Sequence, residues 1–463
     1  MLSGCLLAKP PSQAETLGQA LPAGTAVRGK WASPANRQPV TNNWVKSFRD
    51  PGLDAIVNQA IANNLDLRQA AARVQIAQQT VTVVGSQLLP QVGINVKGAN
   101  TYIDKERKTY NSGQALGLVA WEIDLWGRLR SEKAAAQAAA DASSLEYAYA
   151  RQSLAATAAK SWYLCIEAQK MVWLAERSVT IYTELLSLVQ ARDTAGKVSD
   201  FDLVQAKATL SEAKGALLQT RSAYLEAVRG LEQLIGRYPA AELKVAGRYA
   251  RMPGPARAGL PSSLLQRRPD ITSAEQRVLM AFRKEEAAKL ALLPSFSLSV
   301  AGGRLSDNIL SLLQLNPWMV HSVIGMTVPI YTGGALLAEV QIANAKQLEE
   351  VARYGSVTLT AFREVENGLS NDRILAQRVV LEYDVVRDRT EAVRLGNLKF
   401  QAGSIDLLSL LQLQAYQIAA EATLIQLQDA QLSNRISLYL ALGGGFDNAP
   451  AASPGGPPVA TKQ

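Results

Sequence analysis

The chain has 463 residues, more than one compact domain usually holds, so two domains or two copies of one unit are expected. Hydrophobic residues at 48% and charged residues at 19%, with a mean hydropathy of -0.01, describe a folded protein and exclude bulk disorder. The net charge of +8 is interleaved with acids, as in Asp104-Lys105-Glu106-Arg107-Lys108, which reads as a solvated surface; no nucleic-acid partner is expected.

One histidine, His321, and two cysteines, Cys5 and Cys165, cannot build a Cys/His metal cluster and suggest no disulfide framework. No run of about eighteen apolar residues occurs, which argues against a membrane-spanning helix. A membrane β-barrel escapes that test, because its strands alternate.

The first landmark in chain order is Leu2-Ser3-Gly4-Cys5. It resembles a bacterial lipobox, in which the cysteine sulfur receives a diacylglyceryl group; two or three acyl chains then anchor firmly, at about 0.8 kcal/mol per buried CH₂. Only four residues precede Cys5, which departs from the charged start and apolar stretch of a signal peptide. Residues 6–43, rich in Pro, Gly, Ala and Ser, predict an extended linker.

From there the chain is one unit written twice. Leu88-Leu89-Pro90 recurs as Leu292-Leu293-Pro294, Leu125-Trp126-Gly127 as Tyr331-Thr332-Gly333, and Ala195-Gly196 as Ala402-Gly403. The predicted division is 44–240 and 241–446, followed by a disordered tail at 447–463. Each unit reads helix, strand, loop, strand, very long helix, tight glycine turn, long helix.

The strands alternate. Val92, Ile94 and Val96 oppose Gln91, Asn95 and Lys97; Val119, Trp121, Ile123 and Leu125 oppose Ala120, Glu122 and Asp124. Phe296, Leu298 and Val300 oppose Ser295, Ser297 and Ser299, and Ile324, Met326 and Val328 follow. One apolar and one polar face suits a barrel with lipid outside and water inside, and equally a half-buried soluble sheet.

The helices tilt that balance. From about Arg128 to Val189 no proline occurs, and apolar or small residues repeat every seven: Leu154, Ser161, Ala168, Ala175, Tyr182, Val189, beside Ala158, Cys165, Val172, Val179, Leu186. The return helices carry Leu203, Leu210, Leu217, Tyr224 and Leu231, and Leu411, Ile418, Ile425, Leu432 and Tyr439. Such heptads predict coiled-coil rods of about 90–100 Å, with Cys165 as packing in the seam. Two hairpins supply four strands, too few to close a barrel, so several chains must share one. Sequence physics does not fix how many.

Several segments carry a resemblance. Trp44-Val45-Lys46-Ser47-Phe48-Arg49-Asp50-Pro51, Asn64-Leu65-Asp66-Leu67 and Ala71-Ala72-Arg73-Val74 look like the opening of the outer-membrane efflux proteins, the TolC-like family. Trp121-Glu122-Ile123-Asp124-Leu125-Trp126-Gly127 resembles that family's second strand. Leu260-Pro261-Ser262-Ser263-Leu264-Leu265-Gln266-Arg267-Arg268-Pro269-Asp270-Ile271, with Ala274-Glu275, resembles the opening of its second repeat, and Leu440-Ala441-Leu442-Gly443-Gly444-Gly445 its close. The similarity covers roughly 40–446 and, with the lipobox at Cys5, points to the NodT-type lipoprotein branch.

The resemblance implies an α+β membrane protein. Its homotrimer would form a 12-stranded β-barrel, four strands per chain, continued by a long α-helical coiled-coil barrel. It implies outer-membrane lipid around the strands, and docking to a periplasmic adaptor (membrane fusion) protein and an inner-membrane transporter of the resistance-nodulation-division class. The connections at 103–113 and 303–317 would face the exterior, and the glycine turns the periplasmic tip. There Leu408 matches the family's apolar gate position, while Gln412 stands where some relatives carry an acid. Asp406, Asp200 and Asp202 are further gate candidates; as alternatives, Asp200 and Asp406 cap the return helices. Trp121 and Trp126 are candidate interface anchors at the barrel rim, with core packing the alternative.

No phosphate loop, metal cluster or nucleophile triad appears, so no cofactor and no enzyme activity are expected. A conduit for protein or peptide secretion, and a periplasmic coiled-coil scaffold with a soluble sheet, are the competing readings.

Overall fold

The computed structural model describes residues 8–25, 27–196, 198–306 and 319–446; Cys5, most of the second strand connection and the 447–463 tail lie outside them. A first helix, α1 (Gln13–Ala20), interrupts what the sequence predicted as an extended linker. Its cause is local: Ser12 and Glu15 form a reciprocal capping box that satisfies the first free N–H groups.

The first unit then runs through a 3-10 turn (Trp44–Phe48), α2 (Pro51–Asn63), α3 (Leu65–Ser86), β1 (Gln91–Ile103), β2 (Lys108–Ile123), α4 (Arg128–Thr194) and α5 (Asp200–Leu234). The second has α6 (Pro261–Arg267), α7 (Pro269–Leu290), β3 (Ser295–Ser306), β4 (Met319–Thr327), α8 (Ala335–Gln401) and α9 (Leu407–Ala441). Each unit opens with two helices where periodicity predicted one. Asn64 breaks the first pair by capping Leu67, and Pro269, lacking an amide N–H, breaks the second. The long helices match at 67 residues each and the return helices at 35. At 1.5 Å per residue the former span about 100 Å.

The strands form one antiparallel sheet in the order β1-β2-β3-β4. Val92 stands opposite Val119 and Val119 opposite Val300, so one face is apolar across the strands. The register also corrects three expectations. The strand pair continues to Ile103 and resumes at Lys108, leaving only residues 104–107 as a turn. Leu125 and Val328 fall just past β2 and β4. Asp124 does not line a strand face: its carboxylate accepts the N–H groups of Gly127 (3.1 Å), Leu129 (3.1 Å) and Arg130 (3.0 Å), starting α4 where no intrahelical partner exists.

Packing of the long helices also differs from a strict seam. In the α5 row Leu210 and Leu231 are buried and Leu203, Leu217 and Tyr224 half-buried. On α4, however, the buried row beyond Leu174 is Ser178, Tyr182, Leu185 and Val189, with Ala175, Val179 and Leu186 only half-buried. α4 packs against α2, α3, α5, α7 and α9, so its buried surface is wider than a two-helix stripe. Cys165 is fully buried in it, and burial pushes its thiol up to about 12, which suits packing and not reactivity.

The main core sits midway along the helices, where Trp44 stacks on Tyr439 at 5.8 Å and Phe48 packs edge-on to the same ring at 6.3 Å. Arg268 is buried at its centre. It holds Asp270 (2.7 Å), Glu364 (2.6 Å) and the Ala441 carbonyl (3.1 Å), joining the start of α7 to α8 and to the end of α9. The chain from α1 onward straps the outside of α8; the Glu366 carboxylate takes the N–H groups of Ala32 (2.6 Å) and Ser33 (2.9 Å).

Candidate gate at the helix tips

Each tip is a helix, a glycine in the left-handed region (Gly196 φ 66°, Gly403 φ 75°) and a capped return helix. The caps differ. On α9, Asp406 is itself the N-cap and accepts Ser409 N–H at 2.9 Å; hydrogen bonding by the Ser409 side chain, and then by its backbone N–H, holds the Asp406 carboxyl below the usual range. On α5 the cap is Ser199, not Asp200: Ser199 Oγ accepts Asp202 N–H (3.3 Å), and Asp202 returns a carboxylate oxygen to Ser199 N–H (3.1 Å). Asp200, the first helical residue, is exposed. All three carboxylates therefore sit at helix N-termini, where the helix dipole favours negative charge.

Leu408 is 59% exposed, and on the other tip Phe201 (68%) and Val204 (64%) are equally bare. Gln412 lies one turn beyond Leu408 on the same face and donates to Tyr416 Oη at 2.8 Å, while the Arg389 guanidinium covers the Tyr416 ring at 4.7 Å. The structure thus groups Leu408, Gln412 and Tyr416 on one exposed face of α9 and leaves the acids at the caps. The two tips are also tied together. Arg192, in the last turn of α4, donates to the carbonyls of Phe400 (2.9 Å) and Gln401 (3.0 Å) and lies 4.4 Å over the Phe400 ring. A cation on the carbonyl-rich end of α8 is favourable electrostatically. Sequence reasoning missed Arg192, Tyr416 and Arg389. Only Arg192, three residues before Ala195-Gly196, had a local signal.

At the opposite end, Trp121 Nε1 donates to the Leu88 carbonyl (3.0 Å) and Trp126 Nε1 to the Pro294 carbonyl (2.7 Å). Both rings are half-buried where strands meet helices. Trp121 ties β2 to the end of α3, and Trp126 ties the first unit to the start of β3.

Among the described residues no helix is long and apolar enough to cross a membrane, and no group of acids, histidines and cysteines is placed to hold a metal. What can cross lipid is the sheet, whose Val92, Ile94 and Ile324 are about four-fifths exposed. A four-stranded sheet with two open edges, rising from rods of about 100 Å, defines the class: a subunit of an oligomeric membrane channel.

Comparison with known proteins agrees. The outer membrane efflux protein family matches residues 56–237 and 260–444. The chain is 30% identical over 462 residues to the pyoverdine export outer membrane protein OpmQ of Pseudomonas putida, covering 96% of this chain and 95% of that one. It is 29% identical to the toluene efflux pump outer membrane protein TtgC of P. putida, covering 87% of this chain and 85% of that one. Among solved structures, the open state of the Neisseria gonorrhoeae MtrE outer membrane channel superposes with a TM-score of 0.79 at 25% identity, covering 92% and 96% of the two chains. The Campylobacter jejuni CmeC channel shares the fold, with a TM-score of 0.83 at 19% identity over 96% and 95%. The chain belongs to the outer membrane efflux protein family. It is an outer-membrane channel component of an efflux pump, trimeric, with four strands from each chain.

Proposed function

We propose that this subunit is a passive conduit for small organic molecules, without chemistry of its own, closed at rest by its helix tips and opened by its pump partners. The observation that carries the reading is the continuity of an open-edged sheet with paired 67-residue helices: completed by sister copies, it is a tube from outside the cell to a distal tip. OpmQ and TtgC, named for pyoverdine export and toluene efflux, support cargo of this class. A periplasmic adaptor at the tips and an inner-membrane transporter of the resistance-nodulation-division class would supply the drive. Lipid on Cys5 would add an anchor beside the strands. Trp121 and Trp126 would serve as anchors at the membrane-facing junction.

In the closed state, Leu408 would form an apolar constriction by threefold repetition, with Gln412 above it and Asp200, Asp202 and Asp406 adding negative charge at the rim. A partner's basic group that pairs with these carboxylates can draw the tips outward, and Asp202 also holds the α5 cap closed on Ser199 N–H, so its loss loosens the tip. The test is conductance of the purified trimer in planar bilayers: Leu408→Ser and Asp202→Ala each raise the resting conductance. Unchanged conductance for both removes these residues from the gate, and wild-type protein that inserts but never conducts removes the conduit.

A further inference from the structure

Resting on the conduit reading above, we infer that the barrel is an anion-preferring exit, with Lys97 setting that preference for cargo such as small organic carboxylates. In the trimer, one Lys97 from each copy makes a ring of three cations at one level of the bore.

The strand pairing fixes which side chains reach the bore. Val92 stands opposite Val119, Val119 opposite Val300, and Leu298 opposite Ile324. Those residues make the apolar face that meets lipid, so their neighbours of the other parity line the water. Two contacts place side chains on that second face. Gln114 Nε2 donates to Asn95 Oδ1 at 3.0 Å, and Gln114 stands opposite Lys97 in the register. A Cβ added to Gly325 would come within 2.8 Å of Ser297 Oγ, so that hydroxyl lies over the same face.

Charge on the bore face is sparse and one-sided. Among the described strand residues, only Lys97, Lys108 and Glu122 carry a full charge there. Glu122, at the helix end of β2, is paired with Arg128 at 2.7 Å. Lys108 opens β2 at the outer turn, close in sequence to Asp104 and Glu106. The described parts of β3 and β4 bring serines and His321 to this face but no acid.

Lys97 is exposed and has no ion pair among the described residues. Glu122 lies eight residues along β2 from Gln114, the partner of Lys97. That is about 26 Å at roughly 3.3 Å per residue. In the other direction Asp104 lies seven residues from Lys97, or about 23 Å. Both distances exceed the Debye length of about 8 Å at physiological salt, so neither acid cancels Lys97.

The two ends of the conduit thus carry opposite charge. The tips present Asp200, Asp202 and Asp406, and the barrel presents Lys97. Rings of Lys or Arg favour anions, and rings of Asp or Glu favour cations. A bore with low-dielectric walls focuses the field of such a ring and raises the local concentration of counter-ions. A twelve-stranded barrel is wider than one filled by its own side chains, so the result is a preference and not an exclusion.

The test is the reversal potential of the purified full-length trimer in planar bilayers under a tenfold KCl gradient. The change on substitution is decisive, because the acidic tips act in series with the barrel. Lys97→Gln should lower the ratio of chloride to potassium permeability at least about twofold, and Lys97→Glu further. Lys97→Arg should keep it. Potassium benzoate in place of KCl should give the same order for benzoate. Gln114→Glu sets an acid opposite the retained Lys97 and should also lower the ratio, which serves if the Lys97 variants fail to assemble. Asn111→Glu, three residues nearer the turn but on the outer face, should leave it unchanged. Conducting trimers whose ratio moves less than about twofold in every charge-changing variant of Lys97 and Gln114, or as much in Asn111→Glu, overturn the anion preference alone. Protein that inserts but never conducts overturns the conduit on which it rests.

Discussion

The middle of the helical region and its tip are built from the same four helices, yet they are held by different means. The middle gathers 39 buried apolar residues from α2 and α4 through α9 and the straps around them, with Arg268 buried beside them and paired to Asp270 and the more exposed Glu364. The tip has a cluster of only ten, including Val189, Leu210, Phe400 and Leu410, closed by the Arg192 clamp. Local stability follows buried apolar surface, so the tip belongs to the part of the molecule that can open while the middle stays folded. A channel gated at one end needs that contrast.

The largest expected effect comes from breaking the middle. Arg268→Leu strands Asp270 and Glu364, of which Glu364 is the more exposed, and should cost about 3 kcal/mol. The measurement is the thermal midpoint and yield of the detergent-solubilised trimer. A midpoint equal to wild type would show that the ion cluster does not hold the waist together.

A second prediction sharpens the contrast through pH. Asp429 on α9 is half-buried beside Glu167 of α4, with one carboxylate oxygen out of water, and near Tyr249, whose hydroxyl donates to the Ile425 carbonyl at 3.1 Å. One Asp429 oxygen is hydrogen-bonded to nothing in the protein. Burial, and then the Glu167 charge, push its carboxyl from 3.8 up to about 7. A carboxyl raised on folding stabilises the folded state while it stays protonated. That contribution is full below about pH 4 and is lost as pH rises through about 7. Asp429→Asn should therefore raise the thermal midpoint at pH 8, by on the order of 2–4 kcal/mol in stability, and change it little at pH 4. Equal gains at both pH values would mean that the carboxyl is charged throughout.

The smallest stability effect belongs to the tip. Arg192→Ala removes bonds that are partly in water, so it should cost about 1 kcal/mol or less and leave the trimer's midpoint nearly unchanged. It should still raise resting conductance, because the two tip hairpins lose their tie. A large fall in midpoint with unchanged conductance would reverse the comparison drawn above.

Much of the molecule was readable before its structure because it depends on neighbours in sequence. The repeat, the alternating strands, the long proline-free helices and the glycine turns all rest on backbone geometry within a few residues. The errors arose where several residue types compete for one local role. Ser199 took the cap predicted for Asp200, because the Ser199–Asp202 pair satisfies two N–H groups where a lone Asp satisfies one. Asp124 left the strand pattern because the start of α4 needed acceptors. The strap hid α1, since composition alone does not reveal a capping box.

By itself, then, the sequence determined the elements, their duplication and the face each strand offers to lipid, since period and capping are properties of a short stretch of chain. Tertiary structure alone decided that β2 pairs with β3, that Arg192 reaches Phe400 across 208 residues, and that Asp429 loses its water. Those outcomes depend on which surfaces meet. Distant segments find one another through shape and burial, which no local pattern encodes.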